Sequence, residues 1–354
     1  MKAVRCHRYA ALDEQGKPAA EPVPLREVLS IDEVGGVECG ASQVAIEVHY
    51  SGIQYPDALQ AMGLYQEKPA LPYIPGFDVA GVVQEVGDQV TNIRPGQRVI
   101  AFGSTGGLAE TFLADTDSVW KAPAEIDLSL CANVGRNYIP AYHSLKVIGN
   151  VQAGDLVLAD GASGGVGMAT VQLAKAMGAD VIAAVGSEEK MEVPTEAGAD
   201  RVLCYGRSRE TYRQFKQDVR ETAAQLGHPD GVDLIVDVVQ GDLFEAALVS
   251  TLRPLGKICL VGFAAGQKPI RPGLLLIKQA AVVGSLWKSW AEKNQEAQRR
   301  NVGDILGWIA EGTINPRIGH LFEFSDYLKA FELFEQNRGR ANTVIRLPAA
   351  QQAG

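Results

Sequence analysis

Close cysteine pairs, clustered histidines, a basic excess and long apolar runs are all missing from this chain. Its five cysteines, Cys6, Cys39, Cys131, Cys204 and Cys259, stand no nearer than 33 residues apart. Without a CxxC pair, neither a zinc knuckle nor a thioredoxin-type redox motif is available. An odd, scattered set over 354 residues is no disulfide framework, and these thiols read mainly as small buried apolar side chains. The five histidines form no HExxH-like spacing, so no metal ligands are assigned. No apolar run approaches the roughly 18 residues of a membrane helix. Residues 1–9 are too charged for a signal-peptide core, which leads to the expectation of a cytoplasmic protein. With 33 Lys+Arg against 42 Asp+Glu, the formal charge of −9 disfavours nonspecific nucleic-acid binding. A local basic patch at Arg207, Arg209 and Arg213 is the exception to that balance.

What the chain does have is glycine, 38 residues of it, and a 46% hydrophobic fraction, enough for two domain cores. Its first third reads as a β-rich, turn-rich unit. Residues 43–49 alternate at period two, and β-branched runs follow at 79–88 and 94–100 between Gly-Asp and Pro-Gly turns. Beyond about residue 125 the pattern changes. Short apolar strands at 156–160, 181–185, 201–205, 232–238, 256–262 and 280–284 alternate with helical stretches near 166–177 and 211–226. Near-continuous apolar strands between helices predict an α/β fold with a doubly wound parallel sheet. The tail from 294 to 336 reads as helices, and 342–347 as a last strand.

The strongest local signal is Asp160-Gly161-Ala162-Ser163-Gly164-Gly165-Val166-Gly167, between the first α/β strand and its helix. Glycines there let the backbone approach a pyrophosphate, and the helix N-terminus supplies free N–H groups and a positive dipole end. A glycine string alone is also what an ordinary turn looks like. Its place at a strand-to-helix junction of a βαβ unit is what favours a nucleotide. NAD sites carry Asp or Glu at the end of the second strand to hold the ribose. Here that strand ends at Gly186, followed by Ser187-Glu188-Glu189-Lys190. A small residue leaves room for a 2′-phosphate, with Ser187 as donor, Lys190 as cation and Tyr205 as a further hydroxyl. The plainer reading of Glu188, Glu189 and Lys190 is a charged first helical turn. These residues favour NADPH over NADH.

With those motifs in view, the chain resembles the medium-chain dehydrogenase/reductase superfamily, in its zinc-independent, zeta-crystallin-like quinone oxidoreductase branch. The matching pieces span roughly residues 44–347. They are Gln54-Tyr55-Pro56-Asp57-Ala58-Leu59, Ile74-Pro75-Gly76-Phe77-Asp78-Val79-Ala80-Gly81, Pro95-Gly96-Gln97-Arg98-Val99, the glycine loop, Gly186-Ser187-Glu188-Glu189-Lys190 and Gly339-Arg340-Ala341. The resemblance implies a GroES-like β-barrel catalytic domain interrupted by a Rossmann cofactor domain, with bounds 1–125, 126–286 and 287–354. It places Ser163, Gly164, Gly165 and Val166 at the pyrophosphate of NADPH. It places Gly186, Ser187, Lys190, Tyr205 and Arg340 around the 2′-phosphate. Val239, Val261, Gly262, Phe263, Ala264, Leu286 and Trp287 would line the nicotinamide side; strand-end packing is the plain reading of the apolar ones, and accounts for Phe263 and Trp287 equally well. Zinc-dependent members of the superfamily carry a Cys near the position of Gln54 and Gly-His-Glu where this chain has Gly76-Phe77-Asp78. Phe77 cannot ligate a metal and Gln54 is a poor zinc ligand, so the resemblance implies chemistry without zinc. Two departures stand out: relatives usually have Asn at Gln54, and commonly Thr at Pro140.

The reaction so implied is hydride transfer from NADPH to a quinone or an α,β-unsaturated carbonyl. Negative charge then builds on the acceptor oxygen, and without zinc it needs hydrogen-bond donors. The candidate catalytic residues are Gln54 as donor, Asp57 as an orienting group and Tyr65 as proton donor. Arg136, Asn137 and Tyr138 are further pocket candidates. A packed ring is the plain reading of Tyr65, and a turn or cap that of Asp57. The alternatives are an enoyl-thioester or alkenal double-bond reductase, and a non-enzymatic NADPH-binding protein of crystallin-like or RNA-binding type. Relatives are commonly homodimers, and the apolar edge strand 280–284 is suited to pairing across a two-fold axis.

Overall fold

Residues 43–53, mostly buried, build the longest strand of a barrel-like sheet, and continuous apolar runs build a second sheet whose central strands are buried. Both are seen in a computed structural model that describes every residue except Glu14, Arg207, Asn337, Ala353 and Gly354, and the side chain of Gln352. The Arg207 part of the expected basic patch therefore lies outside the described residues. The chain separates into two units, Met1–Arg136 with Pro316–Gly354, and Asn137–Asn315.

The early strands are β1 (Lys2–Cys6), β2 (Leu29–Glu33), β3 (Gln43–Ile53), β4 (Asp78–Val86), β5 (Arg98–Phe102), β6 (Thr111–Asp115) and β7 (Val119–Lys121). The second unit contributes β8 (Leu156–Asp160), β9 (Asp180–Val185), β10 (Arg201–Cys204), β11 (Val232–Asp237), β12 (Leu252–Leu260) and β13 (Ala281–Gly284). The returning chain adds β14 (Ile318–Glu323) and β15 (Asn342–Arg346).

In the first unit the sheet runs β14-β15-β3-β4-β5-β7, with β6 also paired to β3, while β1 and β2 form a separate ribbon. Ile46, Val48, Val99, Phe112, Phe331 and Ile345 meet in its core. In the second unit every pairing is parallel and the order is β10-β9-β8-β11-β12-β13. Counted within the unit this is 3-2-1-4-5-6, the order of dinucleotide-binding sheets, whose ligands lie at the carboxyl ends of the central strands. The helix Arg209–Gln225 covers this sheet with Phe215, Val219, Thr222 and Ala223, spaced as one helical face requires. Ser208 caps it, its Oγ accepting from Thr211 N at 3.2 Å.

The structure shifts two boundaries and adds one strand. The first segment runs to Arg136 rather than 125, because Asn133 Nδ2 donates to Thr343 O at 3.2 Å and Arg136 N to Asp78 Oδ2 at 2.8 Å. The return comes at Pro316 rather than 287. The helix Gln295–Ala310 belongs with the second unit, where Tyr142 Oη donates to Asp304 Oδ2 at 2.7 Å and packs against Trp308. Within the tail expected to be helical, residues 318–323 are β14, a parallel edge partner of β15. Among the described residues, no helix is long and apolar enough to cross a membrane.

Candidate active site

The glycine loop joins β8 to the helix Gly165–Ala176, and its glycines do different jobs. A Cβ on Gly167 would stand 2.3 Å from the Gly161 carbonyl oxygen, so helix and strand approach this closely only through glycine. A Cβ on Gly165 would stand 2.1 Å from the Asn137 amide. Gly164 faces nothing nearer than 3.6 Å, and the first helical bond is Met168 N to Gly164 O. The N–H groups of Gly165, Val166 and Gly167 open this helix, the end at which an anion is favoured. Ser163 is buried beside them. A dinucleotide pyrophosphate fits this cradle.

At the end of β9, Gly186 lies against the Tyr205 ring. Its absent Cβ would lie 3.3 Å from Tyr205 Oη. Tyr205 packs edge-on against Phe215, and burial pushes its phenol pKa up, so the hydroxyl stays a neutral donor. Ser187 leads into a 3₁₀ turn, Glu188–Lys190, whose two glutamates are exposed while Lys190 is half-buried. The structure thus gathers Gly186, Ser187, Lys190 and Tyr205 at one strand end. Arg340 belongs to the first unit, just ahead of β15.

Across the sheet, the turn after β12 is tied to the end of β11. Val261 N and Gly262 N donate to Asp237 O at 2.9 and 3.4 Å, and Ala264 N donates to Val238 O at 3.3 Å. Val239 lies half-buried at this end. Phe263 is 40% exposed and Leu286 64%, and Trp287 opens the helix Trp287–Lys293. Strand-end packing does not hide Phe263 and Leu286, which leaves apolar surface for a flat ring. Tyr138 is a correction to the pocket list: it is fully buried and donates to Gln172 Oε1 at 2.7 Å as a core residue.

In the first unit Gln54 and Asp57 share the start of one helix, and Tyr65 pairs with Arg136 instead. Asp57 is fully buried and accepts from Gln54 N at 2.8 Å and Gly76 N at 3.1 Å. It ties the start of the helix Tyr55–Met62 to the turn before Phe77, so its part is positioning. Desolvation raises its pKa to about 6, against the pull of those donors and Arg136. Asp78, also buried, accepts from Arg136 N at 2.8 Å and Gln54 Nε2 at 3.4 Å, and desolvation raises it to about 7.

The Gln54 amide is oriented by its neighbours. Asn133 Nδ2 donates to Thr343 O, which turns Asn133 Oδ1 toward Gln54 Nε2 at 2.6 Å. The donor end of Gln54 is therefore engaged inside the protein. The outward donors are Arg136 and Tyr65. The Arg136 guanidinium lies 3.1 Å from the centroid of the Phe77 ring, and its Nη1 donates to Tyr65 Oη at 3.2 Å. Both side chains are half-buried. Because Tyr65 Oη accepts from a cation, its own proton remains available to a third group. Sequence reasoning gave Arg136 no specific role. Its signal was a lone cation of the Lys or Arg type in the otherwise uncharged 132–142 stretch. Among the described residues, no group of three His, Cys, Asp or Glu could hold a metal ion.

Comparison with known proteins agrees with this architecture. The family described as alcohol dehydrogenase GroES-like domain matches residues 40–124, and that described as zinc-binding dehydrogenase matches 165–300. The chain is 32% identical over 331 residues to quinone oxidoreductase-like protein 2 of Bos taurus, covering 93% of this chain and 92% of that one. It is 32% identical over 308 residues to the quinone oxidoreductase of Homo sapiens, covering 86% and 89%. A mycobacterial protein solved in complex with NADPH superposes with a TM-score of 0.84 at 25% identity, over 98% of this chain and 99% of that one. Identity at this level across nearly the full length, on the same two-unit architecture, makes the chain a member of the quinone oxidoreductase branch of the medium-chain dehydrogenase/reductase superfamily.

Proposed function

We propose that the chain is an NADPH-dependent reductase of quinones or α,β-unsaturated carbonyls that works without catalytic zinc. The end of β9 carries this reading. Gly186 stands where an NAD site would place an acid, and Ser187, the half-buried Lys190 and the Tyr205 hydroxyl converge there to receive a 2′-phosphate. NADPH, when bound, supplies the hydride. The protein's own residues supply position and charge. Arg136 offers a guanidinium N–H to the acceptor oxygen as charge develops on it. Where an acceptor must take a proton on carbon, Tyr65 lends its hydroxyl proton, left available by the hydrogen bond it accepts from Arg136; a quinone needs none. Phe77 supports the guanidinium where zinc-dependent relatives place a metal-ligating histidine, so a fixed cation stands in the metal's region.

That Tyr65 proton also favours a second reading, an enoyl-thioester or alkenal reductase, because a reduced double bond must take a proton on carbon. Quinones need no such step. Initial rates of NADPH oxidation against a panel of quinones, enones and enoyl thioesters separate the two. Quinone turnover that survives Tyr65→Phe supports the first reading. Turnover confined to enoyl thioesters and abolished by Tyr65→Phe supports the second, and no turnover with any acceptor defeats both.

The protein forms a homodimer through β13 in this reading. That strand is an edge of its sheet, and Leu276 and Ile277 beside it are each 80% exposed. Sedimentation should give twice the chain mass, and Leu276→Asp with Ile277→Asp should halve it.

A further inference from the structure

Asp160 and Asp237 end the two central strands of the second unit and stand side by side. The parallel register pairs Leu234 with Val157, Ile235 with Leu158 and Val236 with Ala159, so the next residues outward are Asp237 and Asp160. Both are fully buried. Each commits Oδ1 to the backbone. Asp160 accepts from Gly161 N at 2.8 Å, and Asp237 from Val239 N at 3.0 Å and Gln240 N at 2.7 Å. Each Oδ2 is buried and, among the described residues, has no protein donor other than the opposite carboxyl group. The titratable groups facing the pair are Tyr205, at the end of β10, with Tyr212 and Cys204 behind it. None of them is a cation.

Two ionised carboxylates can only accept hydrogen bonds, and they repel each other strongly in a dry site. We propose that Asp160 and Asp237 hold one proton between their Oδ2 atoms, and that this hydrogen bond locks the glycine loop to the Val239–Gln240 turn. Asp160 carries the proton: burial and the neighbouring charge raise it well above the ordinary carboxyl range, while two backbone N–H groups favour Asp237 as the carboxylate. The locked turn is a demanding one, with Gln240 at φ 58° and Gly241 at φ 64°. Asp160 is thus a positioning residue for the cofactor loop. The link to cofactor affinity rests on the NADPH reading, whereas the lock itself does not.

The sign of the pH dependence follows. The native pair keeps a proton that unfolded aspartates release near pH 4, so stability falls as pH rises, about tenfold in the folding equilibrium per pH unit while the proton is held. Asn at position 160 donates through its amide with no proton to lose. The test is urea unfolding of the ligand-free protein from pH 6.5 to 9.5, wild type against Asp160→Asn and Asp237→Asn, beside NADPH titrations by fluorescence. The ratio of wild-type to Asp160→Asn folding constants should fall about tenfold per pH unit. Because the native pair keeps its proton across this range, NADPH affinity should stay flat with pH in the wild type and in Asp160→Asn. Differing stability profiles with no NADPH binding in any protein would uphold the lock and defeat the cofactor reading. Coincident stability profiles would overturn the lock, whether or not NADPH binds.

Discussion

In the barrel unit, Asp57 and Asp78 are buried among donors placed by the backbone, with a cation nearby. Gln54 N and Gly76 N hold Asp57, Arg136 N holds Asp78, and the Arg136 charge favours ionisation of both. In the cofactor-type unit, Asp160 and Asp237 have backbone donors for one oxygen each and, among the described residues, no cation acting on them. Burial raises the first pair to about 6 and about 7, against the pull of those donors. The second must keep a proton. The difference teaches that burial alone does not decide what a carboxyl group does; the count and charge of its donors does.

Removing the cation makes the first pair more like the second. Arg136→Gln should lower turnover by about two to three orders of magnitude, the usual loss on deleting a donor to a developing oxyanion. It should also push the Asp78 pKa further up, visible as a stability profile displaced to higher pH. Unchanged turnover would remove Arg136 from the chemistry.

The next effect concerns a cation used for a ligand rather than for an aspartate. Lys190→Ala should weaken NADPH binding by about ten- to a hundredfold, as loss of a charge-assisted hydrogen bond does, and leave NADH nearly unaffected. Calorimetric titration with both nucleotides checks this, and equal losses would show that Lys190 does not read the phosphate.

Asparagine then tells the two pairs apart. At position 57 it supplies one acceptor where two N–H groups need them, so Asp57→Asn should destabilise the protein by about 1–3 kcal/mol in denaturant unfolding. At position 160 it supplies the missing donor. The smallest effect is at Asp78. With Asp57 raised to about 6 and Asp78 to about 7, native carboxyls hold protons that the unfolded chain releases near 4. Stability therefore falls as pH rises from about 4 to about 7. Asp78→Asn should flatten the upper part of that window, and an unaltered profile would mean the proton sits elsewhere.

Much of this arrangement was legible in the sequence because it rests on local pattern. Alternation along 43–49 announced β3, and the apolar runs of β8, β9 and β11 announced a covered parallel sheet. The glycine loop and Gly186 showed themselves through spacing and position. What stayed hidden depends on which residues meet after folding. The Asp160–Asp237 pairing needs the β8–β11 register, and the role of Arg136 needs the Phe77 ring beneath it. The inward amide of Gln54 is set by Asn133 and, through it, by Thr343, some 290 residues from Gln54 along the chain. β14 escaped because residues 318–323, half-buried at a sheet edge, show no clean alternation and carry Gly319.

Gly186, Ser187, Lys190 and Tyr205 suit this chain to NADPH rather than NADH in the proposed function. Isothermal titration of the purified wild-type protein with each nucleotide tests it most directly. Saturable 1:1 binding of NADPH per chain is expected, at least about tenfold tighter than NADH. Equal affinities, or no NADPH binding, would contradict it.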